Sequence, residues 1–215
     1  MDSMIGNVIN GDCEEILKTI PDNSFDLVIT DPPYGMDYQS NWSKDGPRHD
    51  KIHGDMEYPV HLIDEFKRIA KNAVLVFCRW DNLKDLPKPK SFIVWDKGNH
   101  SMGDLKHEYG RRWEGICFYA MDGHEFVKRP ADLIFCPKIG AESLTHPNEK
   151  PVPLMEILIG NLVGDSVLDP FAGSGSTLVA AERCKRKWAG IEIDKDKATL
   201  CIDRISKEAS QGKLF

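Results

Sequence analysis

The sequence contains no apolar run approaching the ~20 residues that a membrane-spanning helix requires. Its six cysteines, at positions 13, 78, 117, 136, 184 and 201, include no Cys-x-x-Cys pair and no His/Cys cluster at metal spacing. A metal centre and a disulfide framework are therefore not expected, and the thiols read as free and mostly buried. The start, M-D-S-M-I-G-N-V, lacks the basic n-region of a secretion signal, so the expected location is the cytoplasm, with no membrane association. Repeats, low-complexity tracts and Gly/Ser linkers are missing as well, and residues 1–215 read as a single domain. There is no basic excess: 28 Lys and Arg stand against 34 Asp and Glu, a net charge of −6. That balance weakens a nucleic-acid reading without excluding it. Residues 84–138 alone are net positive, with 10 basic and 8 acidic side chains, and cations gathered on one face act locally.

What is present alternates between short β-branched runs and amphipathic stretches. Strands are expected at Phe25–Thr30, Ala73–Cys78, Ser91–Trp95, Ile116–Ala120, Leu133–Cys136, Ser166–Asp169 and Trp188–Ile193. Helical spacing places Leu62, Phe66 and Ile69 on one face, and Leu154, Ile157, Leu158 and Leu162 on another, with Pro153 in a first turn. The pattern predicts an α/β domain around a mostly parallel sheet, whose ligands bind at the carboxyl ends of strands. The polar stretches 37–56, 96–112 and 138–150 read as loops, the first long enough to be functional.

Two motifs fall at strand ends. The later one, S-V-L-D-P-F-A-G-S-G-S-T from Ser166, reads strand, glycine loop, helix. Gly173 and Gly175 let the backbone approach a ligand, but no Gly-Lys-Ser/Thr follows and Leu178 replaces the third glycine of a dinucleotide fingerprint. Glu192 follows 19 residues after Gly173, at the end of the next strand, where a carboxylate can accept bonds from ribose hydroxyls. Asp194 suits the N-cap of the following helix. Loop and acid together indicate a nucleoside cofactor without choosing between NAD and S-adenosylmethionine.

The earlier motif, Asp31-Pro32-Pro33-Tyr34, decides between them. An exocyclic aromatic amine is a poor nucleophile because its lone pair is delocalised into the ring. A carboxylate and a backbone carbonyl that accept its two N–H bonds draw the nitrogen towards tetrahedral geometry. Asp31 supplies the first acceptor and Pro32 the second, while Pro32 and Pro33 fix φ so that the carbonyl is aimed. Tyr34 offers a face for base stacking, worth about 1–3 kcal/mol. Reaching such a pocket requires the base to leave its helix.

With these motifs the chain resembles the DNA amino-methyltransferases of the beta arrangement, in which D-P-P-Y precedes F-x-G-x-G. The resemblance covers nearly the whole chain: G-D-C at Gly11, P-D-N-S-F-D-L-V-I-T-D-P-P-Y-G from Pro21, F-I-V-W-D-K-G-N from Phe92, H-P-N-E-K-P from His146, and G-I-E-I-D from Gly190. It implies a Rossmann-like fold with a seven-stranded sheet, one strand antiparallel, and helices on both faces. S-adenosyl-L-methionine is the implied cofactor, with contacts at Asp12, Cys13, His146, Asn148, Lys150, Pro151, Asp169, Phe171, Gly173, Ser174, Gly175 and Glu192. RNA guanine and protein glutamine methyltransferases also carry N/D-P-P-Y, but with the cofactor motif first, so the order here points to DNA.

The expected activity is site-specific methylation of adenine N6 in double-stranded DNA, because cytosine relatives more often have Ser at the position of Asp31. Cytosine N4 is the alternative; an NAD-type oxidoreductase and a non-catalytic DNA-binding module are the readings from other classes. Only a short segment, 119–145, is available as a recognition insert, which implies a short or relaxed target. DNA contact is expected from Lys44, Arg48, Lys51, Lys97, Arg111 and Arg112 on the loops 37–56 and 96–112, with affinity that falls steeply with salt. Trp42 and Trp113 are candidates for the gap left by the displaced base or for rim packing. A homodimer is left open.

Overall fold

The computed structural model describes residues 4–35, 57–100, 106–107, 109–139 and 149–211. Its elements are β1 (Asn7–Asn10), α1 (Cys13–Leu17), β2 (Phe25–Thr30), α2 (Ile63–Ile69), β3 (Ala70–Cys78), β4 (Ser91–Asp96), β5 (Trp113–Ala120), β6 (Leu133–Phe135), α3 (Val152–Gly160), β7 (Ser166–Asp169), α4 (Ser176–Arg183), β8 (Lys187–Glu192) and α5 (Lys195–Gln211). The strands form one sheet in the order β1-β8-β7-β2-β3-β5-β4-β6. Only β5 runs against its neighbours. The sheet thus has eight strands rather than seven. The additional one is β1, a four-residue edge strand N-V-I-N in which Val8 alone is buried, too short to show a period in sequence.

Alternation along the central strands builds a core on each face. Leu27, Ile29, Leu75 and Phe77 point to one face and meet Leu154, Leu158, Val179 and Cys201 of α3, α4 and α5. Val28, Val74 and Val76 point to the other and meet Leu17 of α1 with Ile63, Phe66 and Ile69 of α2. Burial on both faces explains why these strands read as unbroken apolar runs. In α3, Leu154 and Leu158 enter the core as the spacing predicts, but Ile157 lies on the outer side, 39% exposed. No helix among the described residues is long and apolar enough to cross a membrane.

The motif strands β2 and β7 are parallel neighbours, with Leu27 opposite Val167 and Val28 opposite Leu168. At their amino ends Asp26 Oδ2 accepts from Asp165 N, Ser166 N and Ser166 Oγ at 2.8–2.9 Å. At their carboxyl ends Thr30 Oγ1 donates to Asp169 Oδ1 at 2.7 Å. The D-P-P-Y and glycine-loop segments therefore leave the sheet side by side on one edge.

Candidate active site

Asp31 follows β2 directly and is the centre of a compact charged cluster. Tyr34 Oη donates to Asp31 Oδ1 at 2.6 Å, and Lys150 Nζ donates to Asp31 Oδ2 at 2.6 Å. Lys150 also donates to Tyr34 Oη at 3.1 Å and pairs with Glu114 Oε2 at 3.2 Å. Lys97 Nζ closes the group by donating to Glu114 Oε1 at 2.8 Å. Lys150 lies near the Tyr34 and Phe77 rings, 5.3 and 5.1 Å from their centroids. Tyr34 is held at its backbone too, where Asn82 Nδ2 donates to its carbonyl at 3.4 Å. A Cβ on Gly35 would stand 2.8 Å from Tyr58 N, and Gly35 has φ +72°, so only glycine lets the chain leave the motif there.

The charges in this cluster are unequal in character. Burial pushes the Asp31 carboxyl up, Lys150 pulls it back, and Glu114 adds to the rise, leaving it above the usual carboxylate range. Burial would also raise Glu114, but Lys150 and Lys97 outweigh it and bring the group down to about 2. Lys150 is disfavoured as a cation by burial, yet Asp31 and Glu114 hold it charged. Tyr34 stays a phenol, because burial and the two neighbouring carboxyls oppose its ionisation. The two acids are thus shifted in opposite directions, Glu114 down and Asp31 up.

Beside it, the glycine loop is braced from three directions. Glu192 accepts from Gly173 N at 2.8 Å and from Asp194 N at 2.9 Å. Asp169 accepts from Phe171 N at 3.1 Å as well as from Thr30. Arg204 of α5 donates to the Ser174 carbonyl at 3.1 Å and pairs with Glu149 at 2.5 Å, tying the loop to the segment that carries Lys150. The outer side of the loop is open. A Cβ on Gly173 would meet nothing nearer than the Phe171 carbonyl at 3.9 Å, so the backbone there can be approached closely, as a nucleoside cofactor requires. Glu192 ends β8, and Asp12 follows the neighbouring β1 by two residues; the two strands pair with Asn10 opposite Glu192. The residues present fit S-adenosylmethionine.

Several expected contacts have different partners. Lys150 and Pro151 were expected at the cofactor; Lys150 instead binds the D-P-P-Y acid, and Pro151 caps α3. Asp169 is 2% exposed and its carboxyl accepts from the strand and loop ends, at Thr30 Oγ1 and Phe171 N. Cys13 turns its thiol into the core with Leu17 and Ile20, while Asp12 N-caps α1 through Glu14 N at 2.9 Å. Phe171 is half-buried against the α1/α2 face. Lys97, expected on DNA phosphates, is 7% exposed and paired with Glu114. Arg111 and Arg112 are exposed, and Arg112 forms a two-pronged pair with Asp96 at 2.6 and 2.7 Å. Trp113 packs edge-on against Phe92 as a rim residue. Trp42, Lys44, Arg48, Lys51, His146 and Asn148 lie outside the described residues.

Glu114, Thr30 and Arg204 were missed. None belongs to a spaced motif: a lone Glu opening a strand reads as solvated, and only the β5–β4 pairing brings it to Lys97. Trp80 was missed too; it stands 61% exposed just past β3, two residues before the Asn82 that holds Tyr34.

The buried Asp169 gives a prediction. Its carboxyl is pushed up to about 6 by burial, so it contributes stability below pH 4 that is lost as the pH rises through 6. The shift corresponds to roughly 3 kcal/mol. Asp169→Asn should keep the acceptor for Thr30 and Phe171 and remove this dependence. Urea unfolding at stepped pH is expected to show the variant gaining on the wild type between pH 4 and 7; parallel curves would refute the assignment.

Comparison with known proteins agrees with this geometry. A family model described as DNA methylase matches residues 128–203. YubD of Escherichia coli (strain K12), whose name gives it as a methylase, is 30% identical over 86% of this chain and 83% of its own. The DNA adenine methyltransferase YhdJ of the same organism is 25% identical over 92% of this chain and 82% of its own. Among solved structures, the M1.HpyAVI–SAM complex superposes with a TM-score of 0.67 at 22% identity, covering 92% of this chain and 98% of that one, a likeness of fold. The relationship over 86% of the chain, with the D-P-P-Y acid and the glycine loop on one edge, shows that the chain belongs to the DNA methylases, the amino-methyltransferases of adenine N6 and cytosine N4.

Proposed function

We propose that this methylase transfers the methyl group of S-adenosylmethionine to the N6 amine of adenine in double-stranded DNA, at a short or relaxed target. The observation that carries the reading is Asp31: a carboxylate raised by burial, backed by Lys150, and joined to the glycine loop through Thr30 and Asp169. When bound, the cofactor supplies an electrophilic methyl group on sulfur. Gly173, Ser174, Gly175, Glu192 and Asp12 would hold it. Asp31 accepts one N–H of the target amine and the Pro32 carbonyl accepts the other, which localises the nitrogen lone pair for attack. Methyl transfer from the bound cofactor would break its carbon–sulfur bond and leave the positive charge on the target nitrogen. Asp31, adjacent and poised, takes the proton it sheds. Tyr34 stacks against the extruded base, with its hydroxyl fixed by Asp31. Exposed Arg111 and Arg112, with Lys44, Arg48 and Lys51, are assigned to phosphates.

Adenine is favoured by Asp31 in place of Ser and by the adenine specificity in YhdJ's name. Cytosine N4 is the second reading, since the same acceptors serve either amine. Mass spectrometry of nucleosides from DNA incubated with the protein and S-adenosylmethionine is expected to yield N6-methyladenine. N4-methylcytosine alone would replace the adenine reading, and no methylated base would refute the activity.

A further inference from the structure

The buried charge around Asp31 has more members than methyl transfer needs. Asp31 and Glu114 stand against Lys97 and Lys150, a set whose formal charges cancel, with both lysines less than a tenth exposed. Lys150 Nζ has three N–H bonds and three acceptors: Asp31 Oδ2 at 2.6 Å, Tyr34 Oη at 3.1 Å and Glu114 Oε2 at 3.2 Å. The ammonium group is therefore shared between two carboxylates unequally, closer to Asp31 and in a longer ion pair with Glu114. Glu114 keeps its share because Lys97 fixes its other oxygen, and because it faces Trp95 across the β4–β5 pairing, two residues before Lys97.

We infer that Glu114 is a positioning residue for methyl transfer: by drawing Lys150 partly away from Asp31, it keeps the Asp31 carboxylate available to the target amine. The inference rests on the methyl-transfer reading above. Without Glu114, Lys150 would settle wholly on Asp31, as a tight pair in a buried site does. A carboxylate so neutralised is a poorer acceptor for the amine and a poorer base for its proton. Without Lys150, the reverse holds, and Asp31 is more readily protonated. The other ionisable groups facing the cluster are Tyr34, Tyr58 and Asp169 around Asp31, and Lys138 near Glu114. Of these, Tyr34 also bridges the two acids, its hydroxyl lying 2.6 Å from Asp31 Oδ1 and 3.3 Å from Glu114 Oε2.

The test is the pH dependence of methyl transfer to DNA by the full chain, with a parallel NMR titration of the carboxyl carbon of Asp31 in the free protein. Glu114→Gln is expected to lower kcat about 10-fold, less than the roughly 10²–10⁴-fold of a lost general base because Asp31 itself remains, while KM for DNA and the cofactor Kd stay within about twofold. Its acid limb and its Asp31 midpoint should move down by roughly one pH unit, and those of Lys150→Met should move up. A residue that only props the strand would shift neither. Lys97→Met/Glu114→Gln removes one charge of each sign and should behave as Glu114→Gln if the single variant folds poorly. An Asp31 midpoint that does not fall in either Glu114 variant overturns the inference. A wild type that leaves DNA unmethylated while the midpoints move as stated overturns the functional reading and, with it, Glu114's part in methyl transfer.

Discussion

Asp31→Asn should fold, bind S-adenosylmethionine and DNA nearly as the wild type does, and transfer methyl groups at least about a thousand-fold more slowly. The size follows from two losses at one atom group. The acceptor that localises the amine lone pair is replaced, on one side, by an amide that donates. The base that removes the proton after attack is gone as well, and such groups contribute about 10²–10⁴-fold. Both act as the nitrogen becomes positive, so the loss belongs in kcat rather than in KM. Folding should tolerate the change, because Lys150 keeps Glu114 as a partner and Asp31 is itself disfavoured as an anion by burial. Single-turnover rates with calorimetric binding of cofactor and DNA check this. A rate within tenfold of the wild type would remove the carboxylate from the mechanism.

Gly175→Ala should abolish cofactor binding and destabilise the fold by about 3 kcal/mol. Gly175 caps α4 in the left-handed region, with φ +83°, where a residue with a Cβ costs about 1–2 kcal/mol. The added Cβ would also stand 2.4 Å from Cys201 Sγ, a buried atom of α5. Overpacking of that kind costs about 1–3 kcal/mol and is relieved only by moving helix or loop. The loop is the less massive of the two, yet Gly175 N donates to the Ala172 carbonyl, so its displacement carries Gly173 with it. Thermal melts and calorimetry should show both defects. Cys201→Ala in the same chain should restore part of the stability by removing the sulfur, but not the conformational share. Equal destabilisation with and without Cys201 would place the whole effect in the backbone.

The strands β2 and β7 were legible because both are buried on two faces, so their residues need no alternation, and because sharp punctuation ends them: Asp-Pro-Pro for one, Asp-Pro and glycine for the other. The match extends to bounds, with Phe25–Thr30 and Ser166–Asp169 as read. The edge strand β1 was invisible for the opposite reason, having one buried residue in four. Asp194 was legible as a cap, and it does accept from Asp196 N and Lys197 N. The roles of Lys97, Lys150 and Glu114 were not. Lysines in polar company read as solvated or ligand-bound, and nothing local says that two of them meet one glutamate from a different strand.

By itself the sequence determined which residue types stand at each strand end, and hence which chemistry the chain can perform: a carboxylate, a stiffened carbonyl and a ring after one strand, a bare backbone after another. Those are local properties, set by side-chain identity and by the restricted φ of proline. The tertiary structure decided adjacency. Parallel pairing of β2 with β7 put the two motifs on one edge, and the β3–β5–β4 pairing delivered Glu114 and Lys97 to the flank of Asp31. Charge state depends on that adjacency, because in a buried site the position of a carboxyl's equilibrium is fixed by the few ions within several ångströms, whatever their distance along the chain.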